Sequence, residues 1–239
     1  MPAEFFNESG GFFPILDTIL ELLDARIGYD EDTPLFKGFN LKVARGGHLS
    51  LVGPCGIGKS AVVKTIMGLL TLWGGSYYAF GRDMGNPTPP LLSHVRRKIG
   101  ILPDRGILLQ HLTVFENIAL PLRHGQFQST EKISQSLDPL LKDFELEGIL
   151  DHYPSTLNLD QIKKVGFVRA LMNDPDLLIL DDPFEGLDDK GIRTLRNFLS
   201  GVNDKGDATM VIFSRKSWEW PDFFRYSYRI TPDGVSESL

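Results

Sequence analysis

Apolar positions along the chain alternate between a period of two and a period near 3.6, which predicts strands and helices in turn. Residues 19–27 read as a strand, with Tyr29 just beyond it. From 35 to 43, Leu35, Phe36, Phe39, Leu41 and Val43 alternate with polar residues, and Gly46 and Gly47 turn the chain into the apolar run 48–52. This is a β-hairpin feeding a buried strand. A helix is expected over 59–72, Gly74 and Gly75 open a strand over 76–80, and Pro87, Pro89 and Pro90 mark a loop. The basic triplet Arg96, Arg97 and Lys98 then reads as a solvated face leading into a strand at 99–102. Helical spacing returns at 114–122 and again at 129–150, where Ile133, Leu137, Leu140, Leu141 and Phe144 keep the period and Pro139 is expected to break it. These segments read as a separate helical lobe at about 104–165. The run 177–182 is too uniformly apolar for a one-faced strand and is expected in the middle of a parallel sheet. A helix at 189–198 and strands at 210–213 and 226–230 complete the alternation. Residues 1–17 stand apart as an extension: Phe5, Phe6, Phe12 and Phe13 follow no period, and the segment is either a tail packed on its own domain or an apolar docking arm. The fold class is therefore α/β over 18–239, with a mostly parallel central sheet, an N-terminal antiparallel β subdomain and an inserted helical lobe.

Chemistry enters between the strand at 48–52 and the helix that follows. Gly53, Pro54, Cys55, Gly56, Gly58, Lys59 and Ser60 form the glycine-rich turn of a P-loop NTPase. Glycines let backbone N–H groups turn toward a triphosphate, Lys59 reaches the β and γ oxygens, and the Ser60 hydroxyl is placed to hold Mg²⁺. The helix that begins here, with Ala61 in its first turn, adds its positive end to the same anion. The second landmark is the pair Asp181 and Asp182 at the end of the apolar run, where open α/β sheets place their ligands. Asp181 fits the acidic residue that holds Mg²⁺ through water, and Asp182 would stand beside the γ-phosphate.

Composition removes several other classes. With 42% hydrophobic and 23% charged residues among 239, the chain can bury a sizeable core, and its net charge of −6 argues against holding nucleic acid by phosphate neutralisation. One cysteine excludes an internal disulfide framework, and neither it nor the five histidines fall at zinc-ligand spacing. No apolar run reaches membrane-spanning length, and no Lys or Arg precedes Arg26, so a secretory signal is not expected and the cytoplasm is the expected compartment.

Several further segments, in one order, give the chain a family resemblance after about residue 18. Tyr29, the phosphate turn, Leu112 to Asn117, Tyr153 with Pro154, Arg169 to Leu171, Asp174 with Pro175, the acidic strand and Gly186 to Asp188 together resemble an ABC-transporter ATPase subunit. The segments 183–188 and 117–123 are most similar to the ATPases of MCE-type (Mla-like) lipid-transport systems. The resemblance implies that Tyr29 stacks on adenine and that Asp188 belongs to a loop crossing a dimer interface. It also implies a transmembrane transporter subunit as partner, which would hold the chain at the inner face of the cell membrane, and a second ATPase subunit, of like or unlike sequence.

Four positions depart from the family pattern. Asp182 stands where the family has its catalytic Glu, and Arg215 stands where it has its switch His. An aspartate base is one methylene shorter, and a misplacement of about 1 Å costs on the order of a hundredfold in rate. Arg215 cannot accept a proton near neutral pH, but its planar fork can bind a γ-phosphate. The signature that caps the partner's ATP becomes Asn158, Leu159, Asp160 and Gln161, adding bulk and negative charge where backbone should approach phosphate. Asp104 aligns with the loop Gln at the metal site. Across a closed dimer, Asp160 of one chain is expected to face Arg215 of the other. Two functions remain open: a transporter subunit in which MgATP closes a dimer and weak hydrolysis reopens it, or a regulatory clamp that holds ATP with little turnover.

Overall fold

The computed structural model describes residues 18–123, 130–206, 208–218, 221–224 and 226–237. Strands β1 (Thr18–Ile27) and β2 (Phe36–Ala44) pair antiparallel, and β4 (Leu72–Ala79) flanks the other side of β1. With β5 (Arg82–Asp83) they form a four-stranded sheet in the order β2-β1-β4-β5, the antiparallel subdomain the alternation predicts. The second sheet has six strands in the order β10-β9-β3-β8-β7-β6: β10 (Gly234–Glu237), β9 (Tyr226–Thr231), β3 (Leu49–Val52), β8 (Thr209–Ser214), β7 (Leu177–Asp181) and β6 (Ile99–Leu102). Only β10 runs antiparallel to its neighbour; it is a strand that the sequence reading leaves out.

β7 shows why its sequence carries no alternation. Leu177 and Ile179 join one apolar cluster, with Leu49, Val62 and Phe213, while Leu178 and Leu180 join the other, with Val165, Met210 and Ile212. Successive side chains leave a strand on opposite faces, so a strand covered on both must be apolar at every position.

Helix α1 (Lys59–Ile66) is shorter than the expected 59–72. It stops because Gly68 takes a left-handed φ of 61° and Leu69 N–H returns to the Lys64 carbonyl, a glycine stop signal that lay in the sequence. The expected loop at 87–90 holds for Pro87 and Thr88, but Pro89 already opens α2 (Pro89–Arg97), with Thr88 as N-cap and proline in the first turn. The basic triplet that follows is not simply solvated. Arg96 donates to the carbonyls of Met67 and Gly68 at the end of α1, at 2.8 and 3.1 Å, and Lys98 pairs with Asp176 at 3.1 Å.

Helices α3 (Val114–Arg123), α4 (Thr130–Asp143) and α5 (Leu159–Leu171) make the helical region, and α6 (Asp189–Lys205) follows β7. One expectation changes here. Pro139 lies inside α4 and does not break it, because Leu137 and Leu141 on either side are both buried and anchor the helix against a proline cost of about 3 kcal/mol. The helical region packs on the rest of the chain through Phe144, Phe167 of α5 and Phe198 of α6, a ring trio with centroids 5.2–5.8 Å apart in the core on one face of the main sheet. Among the described residues, no helix is long and apolar enough to cross a membrane.

Candidate nucleotide-binding site

Parallel pairing brings the C-terminal ends of β3, β8, β7 and β6 to one edge of the sheet, and a cleft of about 300 Å³ opens there. Cys55, Gly56, Gly58, Lys59, Ser60 and Ala61 line it on one side; Tyr29, Leu35, Asp104, Asp181, Asp182 and Arg215 close it on the others. Gly53 and Pro54 belong to the same turn without lining the cleft; their carbonyls accept from Lys59 Nζ at 2.6 and 3.1 Å. Gly58 precedes α1 with φ 112°, and a Cβ there would sit 2.6 Å from the Phe36 ring. Only glycine satisfies both constraints. No side chain caps α1, so the start of the helix offers N–H groups to a ligand in the cleft.

Ser60 Oγ donates to Asp181 Oδ2 at 3.2 Å, which joins the two sequence landmarks in space. Among the described residues no three His, Cys, Asp or Glu side chains converge as a metal cage. The donor set nevertheless fits Mg²⁺, which keeps several waters and takes few protein ligands beside phosphate oxygens. Burial, and then the neighbouring charge of Asp182, push Asp181 up to about 6, only partly offset by Ser60.

That shift makes a pH prediction. A carboxyl raised from near 4 to about 6 stabilises the fold below pH 4 and loses that contribution as pH rises through 6, so ionised Asp181 costs the nucleotide-free protein ~3 kcal/mol at neutral pH. A divalent cation needs this ionised form and relieves its cost. The Mg²⁺-dependent part of ATP affinity should therefore fall about tenfold per pH unit below 6. Calorimetry across pH 5–8 with and without Mg²⁺ checks it, and Asp181→Asn should leave the Mg²⁺ contribution small and flat.

Tyr29 is exposed, with Lys64 Nζ 5.1 Å above its ring and 3.3 Å from its hydroxyl. An exposed ring at the cleft wall is the arrangement that stacking on a base requires.

The positions that depart from the family pattern fall into two groups. Arg215, Asp182 and Asp104 meet in the cleft. Arg215 donates to Asp182 from its main-chain N–H (2.8 Å to Oδ1) and from Nε (3.0 Å to Oδ2), and to Asp104 from Nη2 at 2.5 Å. Both oxygens of Asp182 are thus occupied, and Asp104, expected at the metal site, has its carboxylate on a guanidinium. Asp182 also has a left-handed φ of 46°. The signature residues, in contrast, do not line the cleft. Asn158 N-caps α5 and closes a capping box with Gln161, at 2.8 and 3.0 Å. Leu159 covers Gly186, where a Cβ would come within 2.4 Å of its side chain. Asp160 pairs with Lys164 at 2.7 Å, while its other oxygen is buried without a partner beside Gly191. The charge expected to face phosphate is neutralised within its own helix, and Asp160 and Arg215 each already hold a partner inside the chain. Asp188 N-caps α6, accepting from Gly191 N–H at 2.6 Å, and that bond chiefly lowers its pKa.

The sequence reading missed Lys163. It is 2% exposed, and its Nζ donates to the Asp182 carbonyl at 2.6 Å. Burial lowers its pKa, against the opposing pull of Asp104, Asp182 and Asp181. Lys163 and Lys164, set between Ile162 and Val165 at the head of the apolar run that buries α5, were the available signal, since a buried ammonium must be paired.

The family model for "ABC transporter" matches residues 36–185. The methionine import ATP-binding protein MetN of Brucella abortus (strain 2308) is 32% identical over 201 residues, covering 83% of this chain and 53% of that protein. The intermembrane phospholipid transport system ATP-binding protein MlaF of Haemophilus influenzae is 28% identical over 213 residues, covering 87% and 81% respectively. The chain thus spans about half the length of the MetN relatives it matches. Among solved structures, the dimeric post-hydrolysis state of the ATP-binding cassette MJ0796 bound to ADP and Pi aligns with a TM-score of 0.82 at 26% identity, over 91% of this chain and 97% of that one.

Proposed function

The chain belongs to the ABC transporter ATPase family, and from that premise we propose that it is an ATP-binding subunit that uses MgATP to drive or gate a transmembrane partner while hydrolysing slowly. The observation that carries this is the cleft in which the phosphate turn, Ser60, Asp181 and Arg215 converge. Lys59 and the start of α1 bind the phosphates, Ser60 and water-bridged Asp181 hold the Mg²⁺, and Tyr29 carries the adenine. Arg215 takes the γ-phosphate, and Asp182 is the candidate base beside it. Mg²⁺ supplies charge neutralisation of the β and γ oxygens.

A second ATPase subunit supplies the other half of the dimer interface, to which this chain contributes Asn158, Leu159, Asp160, Gln161 and Asp188. Its place is the inner face of the membrane, through the membrane subunit. For cargo we favour lipid: MlaF is matched over 81% of its length, MetN over 53%. The ion pair and main-chain hydrogen bond on Asp182 also support the second reading, a regulatory clamp with little turnover. Turnover measured with and without co-purified membrane proteins separates the two. A transport subunit is expected to speed up at least tenfold in the complex, toward the ordinary enzyme range of about 10 per second, whereas a clamp stays slow in both.

A further inference from the structure

We propose that Asp104 and Asp182 act as an internal stand-in for phosphate, holding Arg215 in the nucleotide-free protein, and that Arg215 thereby selects ATP over ADP. The proposal rests on the reading of the cleft as an ATP site. Strands β6, β7 and β8 are adjacent and parallel. The residues just past their ends, Asp104, Asp182 and Arg215, therefore meet although they lie far apart in sequence. A guanidinium is a planar fork that matches carboxylates and phosphates equally well. Here its Nε and Nη2 edges are taken by two different carboxylates, at 3.0 and 2.5 Å.

The two contacts are not equivalent. Asp182 is 4% exposed and is also held by the main-chain N–H of Arg215, so it stays when the side chain moves. Asp104 is reached by the guanidinium tip alone, and this pair is part-exposed. It is the contact that gives way. A γ-phosphate in the cleft offers the same tip a more highly charged partner, and ADP offers none. ATP binding must therefore break the Asp104–Arg215 pair, and part of the affinity for ATP is spent on doing so. Removing the competitor should tighten ATP and leave ADP alone; removing the arginine should erase the preference.

Calorimetry of the full chain with ATP and with ADP, each with and without Mg²⁺, tests this. Asp104→Asn is expected to bind ATP about tenfold more tightly with ADP unchanged within about twofold, and Arg215→Gln to lower the ATP-over-ADP preference about tenfold. Should Arg215→Gln fail to fold, Arg215→Lys keeps the charge without the fork and should lose about threefold of the preference. Unchanged or equally shifted ATP and ADP affinities overturn the proposal. So does an Asp104→Asn variant weakened only when Mg²⁺ is present, because that outcome makes Asp104 a metal-site residue. A wild-type chain that binds neither nucleotide overturns the ATP reading itself, and this proposal with it.

Discussion

Lys59→Ala is expected to weaken MgATP binding by about 100-fold, the loss of two charge-assisted bonds at roughly 1.5 kcal/mol each. The lysine is 6% exposed and its ammonium already donates to the Gly53 and Pro54 carbonyls, so it sits inside the turn that must embrace the phosphates. Alanine removes the cation at the β and γ oxygens and leaves two turn carbonyls unpaired. Calorimetry reads the affinity, and Cys55 gives an independent report. That thiol is exposed and lines the same cleft, so bound MgATP should shield it from a maleimide in the wild type but not in the variant at the same nucleotide concentration. Unchanged affinity in Lys59→Ala, or equal labelling of wild type with and without MgATP, would mean that phosphate binds elsewhere.

The second large effect concerns turnover. Asp182→Glu alone restores the reach of the missing methylene, but Arg215 donates to both carboxylate oxygens at this position, and an engaged carboxylate is a poor proton acceptor. The single change should therefore raise hydrolysis only a fewfold. Asp182→Glu combined with Arg215→His removes the guanidinium from the carboxylate, leaving one oxygen free of the main-chain N–H, and supplies a titratable neighbour; a positioned general base contributes about 10²–10⁴-fold, so the double variant should exceed wild type by about 100-fold or more. The two changes share a contact, and their effects should not add. Steady-state phosphate release across the four proteins of this cycle decides the matter. A wild type already near 10 per second, typical of enzymes, or a double variant no faster than wild type, would remove the ion pair as the reason for slow hydrolysis.

Most of the scaffold is legible in the sequence. Alternation over β1 and β2, the uniform run of β7 and the glycine-rich turn are local signals, and local signals survive because backbone geometry fixes where each side chain points within an element. The misses were local too, but rested on weaker marks: Gly68 ending α1, Thr88 and Pro89 opening α2, Gly206 closing α6 well beyond residue 198. Pro139 was misjudged because burial of its neighbours, a tertiary quantity, outweighed its intrinsic cost.

By itself the sequence determined the fold class, the phosphate turn and the identity of every residue that departs from the family pattern. It could not say what those departures do to one another. Separately, Asp104, Asp182 and Arg215 read as three damaged positions, and Asp160 as a charge aimed at phosphate. Tertiary structure supplies the link, since parallel strand order sets the first three side by side as one ion-paired cluster, whereas Asp160 meets Lys164 through helical spacing of four residues alone. The reason is physical. A charge is worth little or much according to which opposite charge lies within a few ångströms, and for residues up to 111 positions apart only the packed sheet fixes that distance.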